Sequence, residues 1–164
     1  MNTTTRETAI TADPAVPTIL ITREFDAPRH LVFKAWTTPE LVKRWWGGQR
    51  GEMTLVEIDL RVGGTWRYVL TANGGFDVAF HGEYQEIVPD ERLVSTEIYE
   101  IPDQGDSPPT VNTATFTEAD GRTTLEILVQ CPSKELRDTI IDSGMEGGMQ
   151  ESMDALEQVA ISLG

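Results

Sequence analysis

Apolar and polar positions alternate through most of the chain between Thr18 and Cys131. A period of two marks strands that bury one face and wet the other. Thr18 to Asp26 (TILITREFD) is β-branched and stops at Ala27-Pro28. Glu52 to Val62 puts Val56, Ile58 and Leu60 on one side, with Glu57, Asp59 and Arg61 on the other. Gly63-Gly64 signals a hairpin turn, and Thr65 to Ala72 follows with Trp66, Tyr68 and Leu70 on one face. Beyond Asn73-Gly74-Gly75, Phe76 to Val88 sets Phe76, Val78, Phe80 and Tyr84 against Asp77, His81, Glu83 and Gln85. Arg92 to Ile101 carries apolar residues on both parities. Pro102 to Pro109 (PDQGDSPP) reads as a loop. Thr110 to Thr117 and Arg122 to Cys131 make a last hairpin across Ala119-Asp120-Gly121, with Leu125, Ile127 and Val129 on one side.

Three stretches follow the helical period instead. Leu31, Val32, Ala35 and Trp36 share a face behind Pro28, where a missing N–H does no harm. Thr38-Pro39 opens a second short helix that carries Leu41, Val42, Trp45 and Trp46 and ends at Gly47-Gly48. At the C-terminus, Ser143 to Leu163 aligns Met145, Met149, Met153, Leu156, Val159, Ala160 and Leu163 on one face. Glu151, Asp154 and Gln158 lie opposite, and the small Gly148 and Ser152 interrupt the apolar stripe. Residues 1–17 show no period and are expected to be a disordered leader, dispensable for stability; residues 18–164 form a single domain. The fold class is α+β. A curved antiparallel sheet wraps a long C-terminal helix, with two short helices after the first strand. A curled sheet gripping one helix leaves room for a cavity.

The charge balance narrows the partners. With 27 acidic and 13 basic residues the net charge is −14. Such a field opposes nucleic-acid phosphates and anionic membrane surfaces. No apolar run approaches bilayer-spanning length, and the N-terminus lacks a signal-peptide pattern, so a cytoplasmic location is expected. A single cysteine, Cys131, excludes an internal disulfide and a cysteine-based metal cluster. Neither a metal nor a cofactor is expected.

Several short motifs resemble one family. Phe25-Asp26-Ala27-Pro28 with Val32-Phe33-Lys34-Ala35-Trp36 resembles the opening of the SRPBCC, or START-like, superfamily. Pro39-Glu40-Leu41, Trp45-Trp46-Gly47, Asp59-Leu60-Arg61-Val62-Gly63-Gly64, Gly82-Glu83-Tyr84, Glu91-Arg92-Leu93-Val94 and Gly144-Met145 extend the likeness over residues 18 to 163. It is nearest the branch named for the C-terminal domain of the activator of Hsp90 ATPase. The resemblance implies a helix-grip fold, START-like or Bet v 1-like, with a cavity between sheet and helix. Such proteins bind lipids, sterols, polyketides and other apolar molecules; a minority are cyclases or related enzymes. One departure is Gly48, where the family often has proline. It leaves the end of the second helix looser.

The resulting reading is binding of an apolar or amphipathic small molecule, with room left for a homodimer. A cyclase or dehydratase acting in the same cavity is the first alternative and a chaperone partner the second. The chaperone reading ranks last, because the chain reads as one domain with no exposed apolar run for docking. Trp36, Trp45, Trp46 and Trp66 are expected at the cavity with Tyr68, Phe80, Tyr84 and Phe116. Met145, Met149, Ser152 and Met153 would roof it. Taken singly, each methionine is better explained by core packing than as a ligand wall. No catalytic motif stands out. His30 and His81 are expected at the surface, and Asp59 and Arg61 as an exposed pair. Glu97 shares parity with Leu93, Tyr99 and Ile101. If that face looks inward, Glu97 is a buried carboxylic acid with a raised pKa, and Glu97 or Tyr99 could serve an enzyme. The opposite parity, with Val94, Thr96 and Ile98 inward, is favoured.

Overall fold

Every alternating stretch of the sequence is a strand, and all of them join one sheet. The computed structural model describes residues 8–47, 50–101 and 105–164. Its strands are β1 (Ala9–Ala12), β2 (Thr18–Phe25), β3 (Gly51–Ile58), β4 (Thr65–Ala72), β5 (Asp77–Val88), β6 (Arg92–Ile101), β7 (Gly105–Asp106), β8 (Thr110–Ala119) and β9 (Arg122–Gln130). They pair antiparallel in the order β1-β2-β9-β8-β6-β5-β4-β3, with β7 against β6. The helices are α1 (Arg29–Thr37), α2 (Pro39–Val42), α3 (Lys134–Asp142) and α4 (Met145–Ser162). This large curved sheet with its C-terminal helix is the helix-grip arrangement.

The two short helices start as expected, with Pro28 before α1 and Pro39 at the first position of α2. Thr38 occupies the cap position of α2 without a side-chain cap bond. Gly48 lies outside the described residues. β3 ends at Ile58, so Leu60 and Val62 sit exposed in the turn that follows. Asp59 and Arg61 form the exposed pair at 2.8 Å. The C-terminal helical region is two helices where one was expected. Ser133 caps α3, its Oγ accepting from the Leu136 N–H at 3.1 Å. Gly144, at φ 89°, then turns the chain into α4, a conformation open to glycine without a Cβ penalty.

α4 divides into two halves. Leu156, Val159 and Ala160 are buried against α1 and the sheet, beside Phe25, Val32 and Leu125. The first half, from Met145 to Met153, stands over open space. Asp154 belongs to neither the solvent face nor the apolar stripe. It pairs at 2.7 Å with Arg23, which Glu157 also holds at 3.0 Å. Arg23 lies on the inward face of β2 with Ile19, Ile21 and Phe25.

The leader is a correction. Residues 9–12 form edge strand β1, registered Ala9↔Thr22 to Ala12↔Ile19. The Thr8 N–H donates to Gln150 Oε1 at 2.8 Å. The buried Arg137 donates through Nη1 to the carbonyls of Asp13 and Val16. Four residues carry too little period to read as a strand; pairing along the open edge of β2 supplies what the local sequence does not. Residues 1–7 lie outside the described residues. Deleting residues 1–17 removes both carbonyl acceptors of a buried guanidinium. The expected cost is at least about 2 kcal/mol, a fall in Tm of about 4–8 °C. Thermal melts of full-length and truncated protein check this; identical melts would show the leader contributes nothing.

Candidate functional site: a cavity under the C-terminal helix

The concave face of the sheet and the first half of α4 enclose a cavity of ≈ 720 Å³. β4 contributes Trp66, Tyr68 and Leu70, all inward by alternation. β5 adds Val78, Phe80 and Tyr84. Met145, Met149, Ser152 and Met153 roof it from α4. Trp36, Trp45 and Trp46 close the side formed by α1, α2 and the turn that follows. Trp45 is fixed by donating Nε1–H to the Ala35 carbonyl at 3.0 Å. Trp46 packs edge-on against Tyr68 and Phe80 at 5.3 and 5.1 Å. The wall is therefore aromatic and apolar, as small-molecule sites generally are.

One patch of the wall is polar. β6 points Leu93, Ser95 and Glu97 inward, and β8 points Thr110, Asn112 and Ala114. This overturns the favoured parity for β6. Asn112 Nδ2 donates to Glu97 Oε1 at 3.3 Å. Thr110 Oγ1 donates to Asn112 Oδ1 at 3.3 Å. Burial pushes the Glu97 carboxyl up from 4.5 to about 6, against the smaller opposing pull of the Asn112 bond. Burial also raises the Tyr68 phenol well above 10, with Tyr84 and Glu97 as further causes, and raises Tyr84. Glu97 keeps partial contact with solvent through the open cavity while protein atoms surround its carboxyl.

The Glu97 shift has a sign that stability measurements can read. Folded protein binds this proton more tightly than unfolded protein does. The stability linked to it is complete below about pH 4.5 and is lost as pH rises through about 6. A shift from 4.5 to about 6 corresponds to about 2 kcal/mol. Glu97→Gln should therefore gain up to about 2 kcal/mol at pH 8, with the gain shrinking towards pH 5. Urea unfolding at both pH values checks it; a gain independent of pH, or a loss at pH 8, would mean the carboxyl is not desolvated.

The charged groups of the outer face are separate. Arg67 grips Glu100 with two bonds of 2.9 Å, and His81 Nδ1 lies 2.8 Å from the same carboxylate. The Arg67 bond, above all, holds the Glu100 carboxyl down at about 2. His81 and His30 thus stay outside the cavity, as their positions predict. Among the described residues no cluster of His, Cys, Asp and Glu could hold a metal, and no helix is long and apolar enough to cross a membrane.

The family model for activator of Hsp90 ATPase homolog 1-like proteins matches residues 26–160. The chain belongs to this family. Its curved sheet and gripped helix are shared with solved structures that it resembles. A Rhodobacter sphaeroides protein of known structure is 25% identical, covering 96% of this chain and 100% of that one, with TM-score 0.85. A Mycobacterium smegmatis protein is 24% identical over 95% and 98%, with TM-score 0.83. An Aeromonas hydrophila protein described as like the same activator is 19% identical over 88% and 93%, with TM-score 0.66. No curated protein matches the chain by sequence.

In this activator-like chain, twelve of the residues expected at the cavity do line it: the four tryptophans, Tyr68, Phe80, Tyr84, Glu97 and the four from α4. Phe116 and Tyr99 do not. Phe116 is buried behind the wall, edge-on to Phe33 at 5.5 Å and Trp36 at 6.1 Å. Tyr99 stacks on Phe80 at 5.1 Å, and it is Phe80 that meets the cavity. The two small residues of α4 differ in purpose. Both line the cavity, but Gly148 also makes room for Arg50, whose guanidinium would lie 3.0 Å from an added Cβ. Arg50, at the exposed rim, donates Nη2–H to the Gly144 carbonyl at 3.0 Å. Arg50 does not announce that place in the sequence, whereas Phe76, exposed at the same rim, shares the parity of Val78, Phe80 and Tyr84. Asn112 and Thr110 follow from the alternation of β8 once Ala114 is known to point inward.

Proposed function

We propose that the protein binds an apolar or amphipathic small molecule in the cavity between the curved sheet and α4. The observation that carries this reading is the cavity itself: ≈ 720 Å³, walled by aromatic and thioether groups. A core packed for density alone would not leave such space. The experiment is a paired one. Wild type should take up an apolar fluorescent probe with saturation. Ser152→Leu fills the same space, so it should abolish uptake and leave stability equal or higher. In a tight interface the added volume would cost about 1–3 kcal/mol instead. A destabilised variant beside a wild type that never takes up the probe would refute the binding reading.

A cyclase or dehydratase is the second reading, favoured by Glu97 alone. A carboxyl facing an apolar cavity, with pKa about 6, suits proton transfer near neutral pH. Tyr99 drops out of this reading because its ring stacks behind Phe80.

A further inference from the structure

We infer that the cavity selects ligands bearing a protonated amine, which docks on Glu97 while the apolar body lies among the aromatic rings and under α4. This deepens the binding reading and rests on it. Among the described lining residues, Glu97 is the single acid and Arg50 the single base. The two lie far apart. Arg50 precedes Gly51, which registers with Ala72 on β4. The β5–β6 register, His81↔Ile98 and Tyr84↔Ser95, puts Gly82 level with Glu97, and Gly82 pairs with Trp66. Trp66 and Ala72 are six residues apart, roughly 20 Å along a strand. Arg50 is also engaged at the start of α4. It is no counter-ion for Glu97.

What surrounds Glu97 favours a cation over other heads. Its hydrogen-bond donor among the described residues is the neutral amide of Asn112, at a long 3.3 Å. Tyr68 is close enough for the Glu97 charge to act on its phenol. Tyr68 packs on Trp66 at 4.7 Å, Trp46 on Tyr68 at 5.3 Å, and all three rings face the cavity. Ring faces attract ammonium groups, and a carboxylate makes its strongest hydrogen bonds with charged donors. A carboxylate head would meet Glu97 as a like charge. A hydroxyl would satisfy an oxygen without neutralising it. The chain's net charge of −14 draws cations and repels anions before entry.

The test uses three chain-matched probes: n-octylamine, n-octanol and octanoate, titrated at pH 8 against tryptophan fluorescence. The amine should bind at least about tenfold tighter than the alcohol and the anion most weakly. In Glu97→Gln, confirmed folded by its melt, the preference for the amine should collapse. In wild type it should fade as pH drops below about 6. The titratable groups facing Glu97 are the Tyr68 and Tyr84 phenols, both raised, while Asn112 and Thr110 on β8 and the α4 residues over the cavity do not titrate. Equal binding of octanol, tighter binding of octanoate, or an amine preference that survives Glu97→Gln overturns the inference and leaves the cavity reading standing. If none of the three binds and the apolar probe is also refused, both fall.

Discussion

Arg23→Ala should destabilise the protein by about 3–5 kcal/mol, the loss typical of removing one partner from a buried ion pair. For a chain of this size that lowers Tm by roughly 10–15 °C. The guanidinium is fully enclosed, with the side chain at 0% exposure. It donates to Asp154 at 2.7 Å, Glu157 at 3.0 Å and the Glu24 carbonyl at 3.0 Å, and lies 5.4 Å from the Phe25 ring. It therefore ties the inward face of β2 to the middle of α4. Truncation takes from Glu157, itself 12% exposed, the guanidinium that it holds at 3.0 Å. Arg23→Met keeps most of the volume and should still cost nearly as much. Arg23→Met with Glu157→Leu should recover part of the loss, because a packed apolar pair needs no charge balance. Urea unfolding of the three variants measures this. A loss below about 1 kcal/mol for Arg23→Ala would place the pair among weak surface bridges.

Gly82→Ala should be nearly as damaging, above about 3 kcal/mol, at the upper end for overpacking. A Cβ there would meet the Thr96 carbonyl oxygen at 1.8 Å and its carbon at 2.7 Å. Those are backbone atoms of the neighbouring strand and cannot swing aside. The third neighbour is Trp66 Nε1, also at 2.7 Å, so the indole that walls the cavity would have to move. That N–H is buried and, among the described residues, has no hydrogen-bond partner. Gly147→Ala is the internal control. It lies in α4 with nothing within 4 Å of an added Cβ, so it should gain about 0.5–1 kcal/mol from helix propensity. A Gly82→Ala protein as stable as wild type would contradict the close strand approach.

What could be read from the sequence follows the range of each interaction. Strand alternation is local, so β2 appears as a strand, and β4, β5 and β9 appear with their inward residues. The α4 stripe is local too, and Met145, Met149 and Met153 fall where it predicts. β6 is different. Leu93 and Val94, neighbours of opposite parity, are both buried, so alternation cannot tell which face holds Glu97. Arg23 sits on an apolar parity because its partners are 131 and 134 residues away. β1 exists only through the open edge of β2. α3 did carry a signal: Ser133 before Lys134-Glu135-Leu136 is a capping pattern, masked by the stronger stripe that follows. The cavity's empty space leaves no residue of its own; Ser152 within a bulky stripe is its nearest trace.

The cavity is expected to hold a small molecule in life. The most direct measurement is a crystal structure of the protein purified from its native host. The expected result is an open cavity with continuous density of an organic molecule between Tyr68, Trp46 and Met149, its polar end at Glu97. A cavity closed by side-chain collapse, with α4 lying flat on a dry core and Glu97 turned to solvent, would contradict it.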